Sequence, residues 1–272
     1  MLDELAEAAH IARRAGATIM SYYGKAQVRT KAAGSPVTEA DIAANRQIVQ
    51  HLRRCFPDDG LLSEESRDSH ERLSHERVWI IDPLDGTREF MAGIDEFAVM
   101  IGLAVNGSAV LGVVFCPAAD LMFTGIIGTG AHLEHAGKRT ALLAPPARQS
   151  APRLVGSRSH PDPLLQRIQQ QLEITDVRPS GSVGVKCGLI ARGECDLYVH
   201  PVPYLKEWDT CAPEAVLRAA GGSVSDCDGR ALQYNKRDPV QPAGIVATAP
   251  GISPHVLPEI QRQWQERQGV PA

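Results

Sequence analysis

Val78-Trp79-Ile80-Ile81-Asp82-Pro83-Leu84-Asp85-Gly86-Thr87-Arg88-Glu89-Phe90 is the stretch on which the fold turns. Its first four residues form an unbroken apolar run, as expected of a strand covered on both faces. Asp82-Pro83 is expected to end the ladder there, because proline has no N–H to donate. Asp82 and Asp85 then sit three residues apart across a tight turn, and their carboxylates can converge. Two such charges repel strongly unless a cation lies between them. Gly86-Thr87 opens a helix whose first backbone N–H groups can hold a phosphate. An Asp-Pro turn alone would merely stop a strand. The whole string through Phe90 points instead to a site for a divalent metal and a phosphate.

The chain of 272 residues can form one large domain or two of ordinary size. Its 43% hydrophobic and 22% charged residues are those of a soluble globular protein. A net charge of −4 and a pI near 6.1 argue against a nucleic-acid polymer as partner. A small anionic substrate would therefore need local positive charge, from metal ions or a few Lys and Arg. Asp3, Glu4 and Glu7 near the N-terminus are foreign to a signal peptide. No apolar run approaches the roughly 18 residues of a membrane span, so a cytoplasmic protein without a transmembrane segment is expected. The six cysteines (55, 116, 187, 195, 211 and 227) form no C-x-x-C pair and read as reduced, mostly apolar core or near-surface residues.

Residues 2–23 carry Leu5, Ala8, Ala9, Ala12, Ala15 and Ile19 at helical spacing, ending near Gly24. A short strand is expected over Val28–Lys31, then a turn at Ala33-Gly34-Ser35-Pro36. Thr38 is a natural N-cap for a helix through about Arg54, with Glu39 and Asp41 in its first turn. Leu61-Leu62-Ser63 leads into Glu64-Glu65, followed by a polar stretch over 66–77. Phe97–Val105, Ala109–Cys116 and Leu121–Thr124 read as strands, the first two joined by an Asn106-Gly107 hairpin turn. Residues 137–153, rich in Ala, Pro and Arg, are the expected linker. It divides an N-terminal α+β domain (1–150) from a C-terminal α/β domain (151–272). The second half alternates strands (153–156, 174–179, 195–200, 222–226) with helices (161–172, 183–192, 209–220), which suggests a mixed or parallel sheet. A final helix is expected over 254–268.

Singly, Asp41 and Asp209 read as helix caps and Glu64-Glu65 as a solvated acidic pair. In order, however, Ser35-Pro36-Val37-Thr38-Glu39-Ala40-Asp41, Leu62-Ser63-Glu64-Glu65-Ser66, Trp79–Thr87, Trp208-Asp209 and Ala219-Ala220-Gly221-Gly222 closely resemble the inositol monophosphatase superfamily. The resemblance covers nearly the whole chain. It implies an α+β fold, the layered αβαβα sandwich of the sugar-phosphatase type, and lithium-sensitive, Mg²⁺-dependent phosphatase activity with two or three ions bound. Glu64, Asp82 and the Leu84 carbonyl would hold one ion, and Asp82, Asp85 and Asp209 a second. A third, weaker ion would lean on Glu64. Thr87 and Asp41 would hold the attacking water, and most metal ligands would belong to the N-terminal domain.

Arg88-Glu89-Phe90, Ser157-Arg158-Ser159-His160 and Trp208-Asp209-Thr210-Cys211-Ala212-Pro213-Glu214 are similar to the 3'(2'),5'-bisphosphate nucleotidase (CysQ-like) branch. That branch removes the 3'-phosphate of adenosine 3',5'-bisphosphate to give AMP. The second phosphate must be held away from the reaction. Ser157, His160 and Lys186 match family substrate positions, and Gly86, Thr87, Asp209 and Ser180-Gly181-Ser182 would add contacts. Residues 199–207 depart from the bacterial pattern, which leaves the base preference open. An inositol phosphate or another sugar phosphate is the rival substrate, and a catalytically silent binder of metal or phosphometabolite the rival of another class. A monomer and a homodimer fit the sequence equally.

Overall fold

The computed structural model describes residues 1–25, 28–30, 36–146, 151–159 and 162–269. His160 and the first three residues of the expected turn at 33–36 lie outside the described residues, and its last, Pro36, begins a strand. Helix α1 (Leu2–Tyr22) buries Leu5, Ala8, Ile11, Ala12, Ala15 and Ile19 as one stripe. Strands β1 (Val28–Thr30) and β2 (Pro36–Thr38) pair antiparallel. Helix α2 (Glu39–Cys55) starts on a capping box, in which Thr38 N donates to Asp41 Oδ2 at 2.8 Å and Asp41 N to Thr38 Oγ1 at 3.4 Å.

Strands β3 (Gly60–Ser63), β4 (Arg77–Asp85), β5 (Ala98–Val105), β6 (Ser108–Cys116), β7 (Leu121–Ile126), β8 (Gly130–His135) and β9 (Lys138–Leu142) form one seven-stranded sheet in chain order, with the short helix α3 (Thr87–Ala92) after β4. Only the β3–β4 pair is parallel. The second half supplies β10 (Leu154–Ser157), α4 (Pro163–Gln171), β11 (Val177–Ser180), α5 (Val183–Ala191), β12 (Leu197–His200), β13 (Leu205–Lys206), α6 (Glu207–Ala219), β14 (Ser223–Ser225), β15 (Val240–Gln241), β16 (Ile245–Thr248) and α7 (Ser253–Arg267). Its main sheet runs β11-β10-β12-β16-β14. β10 is parallel to both neighbours and β16 antiparallel to both of its own, so the sheet is mixed, as the alternating pattern suggested.

Three cores define five layers. Alternation along β4 sends Trp79 and Ile81 into a core with α1 and α2, and Val78 and Ile80 into the core on the opposite face. That second core continues through Cys187, Ala212 and Val216 of α5 and α6 to Tyr198 and Ala247 of the smaller sheet. A third core, with Leu164, Ile168, Ile260 and Trp264, seals that sheet under α4 and α7. The order is helix, sheet, helix, sheet, helix: the expected αβαβα sandwich. No described helix is long and apolar enough to cross a membrane.

One expectation about the elements needs correction. The stretch 137–153 is not all linker, since Lys138–Leu142 is the edge strand β9. Four of its five residues are exposed, and Lys138-Arg139-Thr140 hides a strand from any apolar pattern while protecting an open edge. β16 also escaped the sequence reading, being a four-residue run buried throughout.

Candidate active site

The expected end of the ladder at Asp82-Pro83 does not occur. β4 pairs with β5 at Asp82↔Met100 and again at Asp85↔Ala98, so two residues, Pro83 and Leu84, oppose Val99 alone. This is a bulge. In a regular strand residues three apart face opposite sides, and one extra residue restores Asp82 and Asp85 to the same side. Proline is at home in a bulge, where no ladder donor is required. Leu84 N donates back to Asp82 Oδ1 at 2.9 Å and holds that carboxylate in place. Gly86 follows at φ 93°, and a Cβ there would lie 2.7 Å from the Glu96 carbonyl oxygen, so glycine is required.

Glu64 arrives on the parallel neighbour. Ser63 is in register with Ile81, and Glu64 N donates to the Ile81 carbonyl at 3.1 Å, which sets Glu64 beside Asp82. Asp209 comes from the other half. It is not the N-cap residue, which is Lys206, but the third residue of α6, and its carboxylate caps the helix by accepting from Lys206 N at 2.5 Å, as Asp41 does for α2. α6 reaches the large sheet because Gly102, Gly112 and Gly125 lie side by side on β5, β6 and β7. A Cβ on Gly112 would sit 2.2 Å from the Ala212 carbonyl oxygen.

Asp41 is divided between two tasks. Its Oδ2 accepts from Thr38 N and, at 2.6 Å, from Thr38 Oγ1, while Oδ1 faces Thr87 Oγ1 at 3.4 Å. Thr87 Oγ1 also lies 3.1 Å from the Leu84 carbonyl. Asp85 accepts from Ser182 Oγ at 2.5 Å and Gly184 N at 3.0 Å at the start of α5. Lys186, almost fully buried, donates to the Ser182 carbonyl at 3.0 Å and stands 5.1 Å above the Tyr198 ring.

A cavity of about 240 Å³ gathers Glu64, Asp82, Leu84, Asp85, Gly86, Thr87, Ser157, Gly181, Ser182, Lys186 and Asp209. Arg88, Glu89, Val183, Tyr198, His200, Tyr204 and Leu205 complete the wall. Burial, then the charges of Glu64, Asp85 and Asp209, holds the Asp82 carboxyl well above its ordinary range. Asp209 is raised well above it by burial and by Glu64 and Asp85. Asp41 is raised by burial and, less, by Glu64. Burial raises Asp85 against the pull of Lys186, and Lys186 is itself lowered by burial.

The donor set suits Mg²⁺, which favours carboxylate and carbonyl oxygens. Five carboxylates face Lys186 and Arg88 across the cavity, so a phosphate dianion would be repelled unless divalent cations accompanied it. No three of the carboxylates bring oxygens within 4.8 Å of one another, so side chains must draw inward to share an ion.

The model of the inositol monophosphatase family matches residues 1–265. The chain belongs to that family. The 3'(2'),5'-bisphosphate nucleotidase CysQ of Escherichia coli K12 is 40% identical over 242 residues, covering 88% of this chain and 95% of the relative. The 3'-phosphoadenosine 5'-phosphate phosphatase of Mycobacterium leprae is 37% identical over 228 residues, 83% of this chain and 82% of the relative. CysQ from Bacteroides thetaiotaomicron superposes with a TM-score of 0.78 at 31% identity, covering 91% of this chain and 97% of that one.

In this family member the expected metal ligands share one cavity, and Thr87 meets Asp41 behind its wall. Ser157, Gly181, Ser182 and Lys186 line the same cavity. Ser180 does not: it is buried, and its hydroxyl donates to the Gly181 carbonyl at 3.1 Å. Reading the sequence missed Glu89 and Glu96. Glu89 is buried and accepts from Ser159 Oγ at 2.6 Å. Glu96 accepts from Arg158 Nε and Nη2 at 2.9 and 2.7 Å and from Gly181 N at 2.8 Å. Both carboxylates fasten loops of the second half to the first. It missed Arg72 too. Arg72 joins Asp68 to Asn235 Oδ1 at 2.8 Å and the Lys236 carbonyl at 2.9 Å, and Asn235 and Lys236 donate backbone N–H groups to Glu207 at the head of α6.

Proposed function

We propose that this chain is a Mg²⁺-dependent phosphomonoesterase that removes the 3'-phosphate of adenosine 3',5'-bisphosphate, giving AMP and phosphate. The observation that carries the reading is the meeting of Glu64, Asp82, Asp85 and Asp209 in one cavity with Thr87 and Asp41 beside it. The names of relatives about 40% identical over most of the chain support the substrate.

Glu64, Asp82, Asp85, Asp209 and the Leu84 carbonyl would hold two or three magnesium ions. When bound, Mg²⁺ supplies Lewis acidity at the phosphate and lowers the pKa of the attacking water. Thr87 orients that water through its hydroxyl. Asp41, made more basic by burial and fixed by Thr38, receives the proton relayed through Thr87. The first N–H groups of the chain after Gly86 face the transferred phosphate. Ser157 and Lys186 offer donors to the remote 5'-phosphate, while the Ser182 hydroxyl is committed to Asp85, and Tyr198, His200 and Tyr204 offer aromatic faces to the base. A single-phosphate inositol would leave the Lys186 side of the cavity without its anion, and this favours the nucleotide.

Comparing phosphate release from adenosine 3',5'-bisphosphate and inositol 1-phosphate tests the substrate. Better turnover of inositol 1-phosphate would assign the other branch. Asp85→Asn is expected to lower kcat by at least about 10²-fold with the fold intact. If the unaltered chain released no phosphate from any monoester in Mg²⁺, it would be a silent binder. Millimolar Li⁺ is expected to inhibit.

A further inference from the structure

A different group of ligands lies at the far end of α2, about 15 Å along the helix from Asp41. His51 Nε2 stands 2.8 Å from Glu7 Oε2 of α1. Cys55 Sγ lies 3.6 Å from His51 Nε2 and 3.9 Å from Glu7 Oε2. Among the described residues this is the one trio of His, Cys, Asp or Glu whose ligand atoms all fall within 4.8 Å of one another.

We propose that Glu7, His51 and Cys55 form a second metal site, selective for a zinc-class divalent ion and separate from the carboxylate cavity. The donors decide the class. A thiolate and an imidazole suit zinc, whereas Mg²⁺ takes oxygen. The spacing agrees: zinc bonds of about 2.0–2.3 Å in a tetrahedron place ligand atoms about 3.3–3.6 Å apart. The S–N separation already fits, the S–O separation is slightly long, and the Glu7–His51 hydrogen bond must open by about half an ångström. His51 is 7% exposed and positioned by its packing, while Glu7 is 44% exposed and free to adjust.

On binding, the thiol proton leaves to solvent and the imidazole carries its hydrogen on Nδ1. Nδ1 now faces Arg54 Nη2 at 3.4 Å, a long contact from an exposed side chain that turns outward. Thiolate and carboxylate cancel the two charges of the ion, so neither Arg54 nor Arg14 nearby opposes the bound state. A hollow of about 160 Å³ lined by Gln47, Gln50, His51 and Arg54 opens beside the trio and gives an entry path. The exposed His10 lies nearby, its ring centroid 5.7 Å from that of His51, and water would complete the coordination. Cysteine spacing gave no hint of the site, because two ligands share one helix face and the third lies 44 residues away.

The inference is independent of the nucleotidase reading, and titration of the whole chain with Co²⁺ tests it. Wild type and Asp85→Asn are expected to show a thiolate-to-cobalt charge-transfer band and the strong visible absorption of a four-coordinate ion. Cys55→Ser should lose the thiolate band and keep wild-type phosphatase activity. His51→Gln should weaken cobalt binding at least about tenfold, since even outer-shell partners of metal ligands are worth that much. Cys55 is also the one cysteine not buried, so zinc should slow its alkylation in wild type at least about tenfold. A wild type with no thiolate band, a band that survives Cys55→Ser, or alkylation indifferent to zinc would each overturn the proposal and leave a plain Glu–His hydrogen bond.

Discussion

At the scale of single residues, Asp41 joins structure to chemistry. One oxygen caps α2 through Thr38 and the other faces Thr87, so in the proposed mechanism the helix start would set the direction of the relay. Asp41→Asn is expected to lower kcat about 10²–10⁴-fold, the usual worth of a general base, and to cost about 1 kcal/mol through the weakened cap. Steady-state kinetics with a denaturant melt separates the two, and near-normal kcat would remove Asp41 from the mechanism. Lys186→Met should raise KM for the bisphosphate nucleotide about 10–100-fold, the worth of a charged hydrogen bond, and change turnover of a monophosphate far less. Equal losses on both substrates would make Lys186 a support for Asp85 and nothing more. The proposed ligands could be picked out in the sequence because each sits in a short motif with its own local geometry. Glu89 and Glu96 were not, because Ser159 and Arg158 lie 70 and 62 residues from them and only folding brings them together.

At the scale of elements, a bulge and a row of glycines build the cavity. Without the bulge at Pro83-Leu84, Asp82 and Asp85 would point into different layers. The sequence reading saw that they converge but attributed it to a terminated strand, since proline signals the end of a ladder and a tolerated bulge equally well. Gly102, Gly112 and Gly125 read as unremarkable interior glycines until their register across three strands is known. Gly112→Ala must push Ala212 and the whole of α6 outward. A cost of about 1–3 kcal/mol is expected, with a raised Mg²⁺ requirement because Asp209 travels with the helix. Thermal melts and Mg²⁺ titration of activity check it. Lost stability with an unchanged Mg²⁺ requirement would separate α6 packing from Asp209 placement.

At the scale of the molecule, the site is a seam. The first half brings Glu64, Asp82 and Asp85, and the second brings Asp209, Ser182 and Lys186, across a core that both halves share. Burial pushes the Glu96 carboxyl upward, but hydrogen bonds from Arg158 and Gly181 outweigh this and hold it below its usual value. A depressed carboxyl stabilises the fold above its unfolded-state pKa and loses that contribution as pH falls through the folded one, so the tie is intact at neutral pH. Glu96→Gln should therefore raise KM at pH 7 while leaving the Mg²⁺ dependence unchanged, and an unaltered KM would make the tie irrelevant to substrate. Most helices and strands were legible from apolar runs and turn residues, and their layered order from the family resemblance, whereas the polar strand β9 and the buried β16 gave no periodic signal. The most direct test of the whole account is phosphate release from adenosine 3',5'-bisphosphate as Mg²⁺ is titrated into metal-stripped protein. Activity that rises from zero with Mg²⁺, exceeds that on inositol 1-phosphate and disappears in Asp85→Asn is the expected result. Hydrolysis that persists without divalent metal, or in Asp85→Asn, would contradict it.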